Sequence, residues 1–390
     1  MSKVEEHVSG SDSSTGGKNI STGRRVVIAG GGTGGHIFPA IAIANALKRS
    51  GTTTEILFVG AKGKMEMEKV PQAGYNIKGL DIAGFNRSSL IKNFSLPFKL
   101  VRSFIQVRRI MNEFKPDAVV GVGGYSSFPV LRYAQAKHIP TFIHESNSFA
   151  GKSNILLGKK ATKVFVATDG MEKFFPAAKI IVTGNPVRPV INPDVSAIPK
   201  SKALEFFGLK EGRRTLLVVG GSLGAKSINE AMAVGLKELV NNNLQVIWQT
   251  GKTDAAKWKM IAANEKQVWV SDFITQMENA YAAADIVISR AGAMAIAELC
   301  VVKKPVLFVP YPFAAEDHQT VNANNLVQKH AALMVKDSEA NEKLIHTIIA
   351  LAWDEQKMNE LRDNIGRYAI VNADAHIARE IIKSISGNGS

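Results

Sequence analysis

Apolar residues fall along this chain in two rhythms. Short unbroken β-branched runs alternate with longer stretches in which apolar positions recur every three or four residues. Val26-Val27-Ile28-Ala29 reads as a buried strand and Ile37 to Arg49 as a helix. Further strands are predicted at Ile56 to Val59, Ala118 to Val122, Thr141 to Ile143, Val164 to Val166 and Ile180 to Val182. Continuous apolar strands separated by helices indicate a parallel sheet covered on both faces. Pro186, Pro189, Pro193 and Pro199 then mark an interdomain linker, because proline continues neither a helix nor a central strand. After them the pattern restarts, with strands at Leu216 to Val219, Val246 to Trp248, Val268 to Val270, Ile286 to Ile288 and Val306 to Val309. The expected fold is α/β, two doubly wound Rossmann-like domains facing a cleft. Residues 24–187 form the first domain and 188–369 the second, and the Ser/Gly/Thr-rich residues 1–23 form a disordered tail. Such sheets bind ligands at the carboxyl ends of their strands.

Composition narrows the class. With 390 residues, 45% hydrophobic and 21% charged, the chain is neither wholly disordered nor fibrous. The single cysteine, Cys300, excludes an intramolecular disulfide and a multi-cysteine metal site, and its apolar surroundings place it in the core. No apolar run reaches the ~20 residues that span a bilayer. The first residues lack the apolar core of a secretory signal, which points to an intracellular protein. The net charge of +14 is unevenly placed: residues 1–195 hold 26 Lys and Arg against 13 Asp and Glu, and residues 196–390 hold 22 against 21. The first half therefore faces an anionic partner, whether nucleic acid, a phosphorylated substrate or an acidic membrane.

Both halves open with a strand, a glycine-rich turn and a helix. Gly30-Gly31-Gly32-Thr33-Gly34-Gly35-His36 and Gly220-Gly221-Ser222-Leu223-Gly224-Ala225 suit anions, which glycine lets the backbone approach and which a helix N-terminus attracts. The first loop satisfies G-x-G-x-x-G, but the acid that fingerprint needs at the end of the second strand is missing. Glu55 lies at the strand's start, which disfavours an NAD-dependent oxidoreductase. Polar clusters follow other strands: Gly123-Gly124-Tyr125, His144-Glu145-Ser146-Asn147, Ser289-Arg290 leading to a helix with Glu298, and Glu316-Asp317-His318-Gln319. His36 suits general-base work, and Glu298 suits both hydroxyls of a ribose. No D-x-D metal–diphosphate clamp and no metal-ligand spacing occur.

In their order and spacing these motifs, with Gly184-Asn185-Pro186-Val187-Arg188, resemble the MurG family of N-acetylglucosaminyltransferases from about Arg24 to the C-terminal helix. The resemblance implies a GT-B fold and an inverting, cofactor-free transfer of GlcNAc from UDP-GlcNAc to the 4-hydroxyl of MurNAc in lipid I, giving lipid II in peptidoglycan synthesis. It implies His36 as the base. It places Thr33, Gly34, Gly35, Asn147, Arg188, Ser222, Ile274, Ala293, Met294, Ala295, Ile296, Ala297, Glu298 and Gln319 on the donor, and Tyr125, His144 and Glu145 on the acceptor. The C-terminal helix, within 370–390, packs back on the first domain. The family's pattern has Gln in place of Ser146 and of His318, and Leu-Thr in place of Met294-Ala295.

A lipid acceptor accounts for the basic first half. Between Ile82 and Lys115 seven cations, among them Arg87, Lys92, Lys99 and Arg102, are interleaved with Phe85, Leu90, Phe94 and Phe98. Ile82 to Lys99 is the expected docking stretch on an anionic membrane at the cytoplasmic leaflet, and the apolar face of Val101 to Met111 is expected to be core. Other cell-wall synthesis proteins are further candidate partners, and nucleic acid is not. The rivals are a UDP-GlcNAc 2-epimerase, which leaves the basic apolar stretch unexplained, and a basic non-enzymatic binding protein, which leaves the strand-end clusters unexplained.

Overall fold

The computed structural model describes residues 23–51, 53–82, 96–221 and 223–386. The tail expected over 1–23 lies outside them except for Gly23, as do Ser222 and positions 83–95 of the expected docking stretch.

The first half runs β1 (Arg24–Ala29), α1 (Gly34–Arg49), β2 (Thr54–Ala61), α2 (Glu66–Gln72), β3 (Asn76–Leu80), α3 (Leu96–Phe114), β4 (Ala118–Gly121), α4 (Ser127–Ala136), β5 (Thr141–Glu145), α5 (Lys152–Gly158), β6 (Lys163–Val166) and β7 (Ile180–Val182). The second half continues with α6 (Lys200–Phe206), β8 (Arg214–Val219), α7 (Lys226–Asn241), β9 (Leu244–Gln249), α8 (Ala255–Ala262), β10 (Val268–Ser271), α9 (Met277–Ala283), β11 (Ile286–Ser289), α10 (Ala293–Val302), β12 (Val306–Phe308), α11 (His318–Val327), β13 (Leu333–Met334), α12 (Ala340–Trp353), α13 (Glu355–Gly366) and α14 (Ala373–Ser386).

The strands form two sheets, ordered β3-β2-β1-β4-β5-β6-β7 and β10-β9-β8-β11-β12-β13, and every pairing is parallel. Each is buried on both faces, which is why the strands read as unbroken apolar runs. In β1, Val26 and Ile28 enter one core and Val27 and Ala29 the other; in β8, Leu216 and Val218 part from Leu217 in the same way. The strand order reverses between β1 and β4 and again between β8 and β11. Those two switch points are where a doubly wound sheet opens a crevice for ligand, and both glycine-rich turns sit there.

β3 and β13 escaped the reading from apolar runs. β3 is an edge strand, Asn-Ile-Lys-Gly-Leu, with only Leu80 fully buried, and β13 has two residues. The proline-rich stretch is not linker throughout. Ile191 and Val195 are buried in the core of the second sheet, so the bridging segment ends before them. α14 returns to the first half, where Ile377, Ala378 and Ile381 are buried against α1 and β1, and Arg49 pairs with Asp374 at 2.7 Å.

α3 differs from expectation. Val107 and Met111 are core, but Val101 and Ile105 are 62% and 66% exposed, beside Phe98 at 80%. These three recur at helical spacing on the face opposite Ser103, Val107 and Met111. The helix is therefore amphipathic twice over, with one apolar stripe on the core and a second in solvent. Among the described residues no helix is long and apolar enough to cross a membrane.

Candidate active site

The first crevice is built by close backbone packing. Gly30, Gly31 and Gly32 all have positive φ, and the amide N–H of Gly31 donates to the carbonyl of Gly123 across the switch point at 3.1 Å. A methyl group on Gly124 would lie 2.3 Å from the Gly31 carbonyl oxygen, so only glycine fits there. α1 starts at Gly34, three residues earlier than the apolar period indicated, because Gly34, Gly35 and His36 already form its first turn. That turn has no side-chain cap and no acid; the His36 amide N–H donates to the Thr33 carbonyl at 3.1 Å, which leaves the amides of Gly34 and Gly35 and the helix dipole for an anion. Thr33 is the N-cap residue.

His36 lies in this turn, half-buried. Its Nδ1 is 3.1 Å from the carbonyl oxygen of Gly31 and 3.3 Å from Thr33 Oγ1. A carbonyl only accepts, so Nδ1 carries the proton and Nε2 the lone pair. Burial lowers the His36 pKa below 6.5, against the pull of Glu145 and the Gly31 carbonyl, and His318 from the second half adds to the lowering. The imidazole is thus a neutral base at neutral pH. Tyr125, 54% exposed, follows Gly124 on the same rim.

Under this loop lies a residue the sequence reading passed over. Glu66, 1% exposed at the start of α2, accepts the amide N–H of Gly32 at 2.8 Å and that of Ala61 at 2.9 Å. The dinucleotide fingerprint calls for an acid at the end of the second strand, where this chain has none. Glu66 comes five residues later and turns back onto the glycine loop itself. Glu55 is exposed at the opposite end of β2, so neither acid is placed to hold a ribose on this loop.

The sequence places His144 and Glu145 in the loop after β5. They are the last two residues of β5, 1% and 4% exposed, not part of a loop after it. Burial pushes the His144 pKa down to about 4, so it carries no positive charge to offer an acceptor diphosphate at neutral pH. Its ring nitrogens lie 3.4 Å from the Gly184 carbonyl oxygen and from Ser146 Oγ. Glu145 accepts the amide N–H groups of Asn147 and Gly151 and the side-chain amides of Asn147 and Asn154, all within 3.3 Å. Both residues shape the loop that carries Asn147, from beneath.

The second crevice mirrors the first. Gly221, Gly224 and Gly251 have positive φ, and a methyl on Gly224 would lie 2.2 Å from the Thr250 carbonyl oxygen. α7 and α10 both begin beside β8 and β11 with no side-chain cap and no acid in the first turn, so two further uncapped N-termini face this crevice. Glu298 of α10, 5% exposed, is gripped by Arg188 through Nε at 2.7 Å and Nη2 at 2.6 Å, a bidentate pair, and accepts the Tyr281 hydroxyl at 3.1 Å. Burial pulls the Arg188 pKa down, but the Glu298 carboxylate outweighs it and the guanidinium stays charged. Tyr281 carried no sequence signal. Of the residues that the sequence resemblance places on the donor, Ile274 is buried in the second core, and Gln319 accepts the amide of Tyr311 at 3.0 Å. Ala293, Ile296 and Ala297 do not share a face with Glu298. They line a cavity of about 260 Å³ between the halves, with Ser146, Asn185 and Asn322, while Met294 and Ala295 lie half-buried on other faces of α10. Cys300 is buried core, its thiol pushed up to about 12 by burial. Among the described residues no group of three His, Cys, Asp or Glu side chains is placed to hold a metal ion.

Comparison with known proteins fits this geometry. The glycosyltransferase family 28 N-terminal domain matches residues 26–166, and the glycosyltransferase family 28 C-terminal domain matches residues 215–380. The chain belongs to glycosyltransferase family 28. A relative from Parabacteroides distasonis is 50% identical over 93% of this chain and 98% of its own length, and one from Bacteroides thetaiotaomicron is 51% identical over 92% and 97%. Each is named UDP-N-acetylglucosamine–N-acetylmuramyl-(pentapeptide) pyrophosphoryl-undecaprenol N-acetylglucosamine transferase. The crystal structure of Acinetobacter baumannii MurG matches with a TM-score of 0.75 at 30% identity, covering 92% of this chain and 99% of that one. The family 28 architecture seen here is the GT-B fold, and the MurG resemblance of the sequence motifs extends over the whole two-sheet body.

Proposed function

We propose that this family 28 enzyme moves GlcNAc from UDP-GlcNAc to the 4-hydroxyl of MurNAc in lipid I, with inversion at the anomeric carbon, and that His36 is the base. The observation that carries the reading is the facing pair of crevices. One holds a neutral histidine with a fixed tautomer, and the other holds three groups suited to a nucleotide. Residues 24–187 with the C-terminal helix serve the acceptor, and residues 188–369 bind the donor.

In this mechanism the uncapped N-termini of α7 and α10 stabilise the diphosphate as it leaves, and their amides are in place before the charge develops. Ser222 would act there too. Arg188 and Tyr281 occupy three of the roughly four lone-pair sites of Glu298. One ribose hydroxyl can therefore join the cluster as it stands, and a second must displace a partner. The acceptor hydroxyl approaches the face opposite UDP, its proton passes to His36 Nε2, and its oxygen bonds to the anomeric carbon as the bond to UDP breaks. Thr33, Gly34 and Gly35 contact the donor from the first half, and closing the cleft excludes the water that would hydrolyse it.

The deciding experiment is UDP release from UDP-GlcNAc with and without a short-chain lipid I analogue, with analysis of the sugar product. Acceptor-dependent release with a β-linked disaccharide is the expected result. Release without acceptor, together with a 2-epimerised sugar, would assign the epimerase reaction instead, and no turnover would overturn both.

The lipid end of the acceptor is matched by the second stripe of α3. Phe98, Val101 and Ile105 lie exposed beside Lys99, Arg108 and Arg109, an apolar and basic face for peripheral docking on the cytoplasmic leaflet. Burying each large apolar side chain contributes about 1.5–3 kcal/mol. The double variant Phe98→Asp, Ile105→Asp is expected to lose more than about tenfold in retention on vesicles of anionic phospholipid. Turnover of a short-chain acceptor should not change. Unaltered retention in the flotation assay would remove α3 from the docking face.

A further inference from the structure

Away from both glycine loops, side-chain amides join the segment after β5 in the first half to the segment opening α10 in the second. The amide N–H of Ser148 donates to Asn322 Oδ1 at 2.9 Å, and Asn322 Nδ2 donates to Asn147 Oδ1 and to the carbonyl of Ala291, both at 3.3 Å. An amide N–H only donates and a carbonyl only accepts, so the orientation of the Asn322 side chain is fixed by its partners. It is 4% exposed, on α11 one turn beyond Gln319. Asn185 makes a parallel bridge from the linker. Its Nδ2 donates to the carbonyls of Ser146 at 3.0 Å and Ala293 at 3.3 Å. Residues 146–148 are thereby fastened to residues 291–293.

The fastening continues into the first half. Glu145 holds both the backbone and the side chain of Asn147, and also holds Gly151 and Asn154. An unbroken chain of hydrogen bonds runs from the start of α5, through Glu145, Asn147 and Asn322, to the loop before α10. Domains within one chain move relative to each other by default, and these asparagines add directed hydrogen bonds across the halves where Asn147 meets the donor crevice.

We propose that Asn322 is a positioning residue for the transfer: it clasps the two halves in the closed state and sets Asn147 against the donor sugar. This rests on the reading of the chain as a GlcNAc transferase. Asn322 acts through Asn147 and Ala291, both of which it touches, and not through the nucleotide cluster around Glu298.

The test is a double-mutant cycle of Asn322→Ala with Asn147→Ala, read by kcat, KM for UDP-GlcNAc, affinity for UDP alone and radius of gyration in solution. Asn322→Ala is expected to lower kcat/KM by about tenfold or more, while UDP, held by the second half alone, binds within about twofold of wild type. The double variant should lose no more than the worse single variant, because the two residues act as one unit. Asn322→Asp keeps the acceptor for Ser148 but removes both donors, and should behave like alanine. Additive losses, or UDP affinity falling in step with transfer, overturn the clasp. Small-angle scattering reads it without turnover. Ligand-free Asn322→Ala should be more expanded than wild type, and an unchanged radius overturns the clasp even where the wild-type enzyme shows no transfer. That absence of transfer would by itself count only against the proposed reaction.

Discussion

Replacing His36 with alanine is expected to lower kcat for acceptor-dependent transfer by about 10²–10⁴, the usual contribution of a positioned general base. Affinity for UDP should stay within about twofold of wild type, because the nucleotide groups sit on the other sheet. The pH profile carries the sharper test. Burial lowers the pKa of His36 below 6.5, and the competing pull of Glu145 and the Gly31 carbonyl does not reverse it. A lowered pKa in a base means that the active, neutral form persists into more acidic solution. The profile of kcat/KM should therefore rise with pH along a limb centred below 6.5 and be flat from there through neutrality. The limb should vanish in His36→Ala. A variant that keeps the same limb, at whatever residual rate, would assign the proton transfer to another group.

What the sequence disclosed and what it withheld follow one physical division. Parallel strands buried on both faces must be continuously apolar, so β1, β4 to β6, β8, β9, β11, β12 and most of β2 were legible from composition along the chain; the edge strands β7 and β10 were legible too, only because their residues happen to be mostly apolar. An edge strand that packs one side chain fully, as β3 does, has no such obligation. Glycine turns at β1 and β8 were legible because backbones approaching within hydrogen-bond distance exclude any side chain, a constraint written at the position itself. The site's internal contacts were not. Glu66 meets Gly32 across 34 residues, Arg188 meets Glu298 across 110, and Asn147 meets Asn322 across 175. No local period encodes such pairs. His144 and Glu145 show the same limit from the other side. A polar pair at a strand's end has the same sequence appearance whether it faces a ligand or, as here, turns inward to hold the next loop. On α3 the apolar face read as core is two stripes, because a helix with apolar residues on both sides has no sequence mark for which side the sheet takes.

Glu66→Gln separates support of the glycine loop from catalysis more cleanly than any change in the loop itself. The native carboxylate faces two backbone donors, the amides of Gly32 and Ala61, and accepts from both. Glutamine offers one oxygen and one NH₂ in the same volume, so one of those buried N–H groups must face another donor. Leaving a buried donor unsatisfied costs about 1–3 kcal/mol, and each kcal/mol lowers the melting point by about 2–4 °C in domains of 150–250 residues. The loop cannot relax by moving toward the side chain, since a methyl on Gly31 would already lie 2.4 Å from Glu66 Cδ. It can only lift away, and Gly31 is the residue whose carbonyl fixes the tautomer of His36. The variant should therefore show a lower melting point together with a reduced kcat, with UDP affinity unaffected. Glu66→Ala, which leaves both N–H groups unsatisfied, should be worse in both respects. Glu68→Gln, two residues along the same helix and exposed, should move neither. If Glu66→Gln melts and turns over like wild type, the carboxylate does not hold the loop.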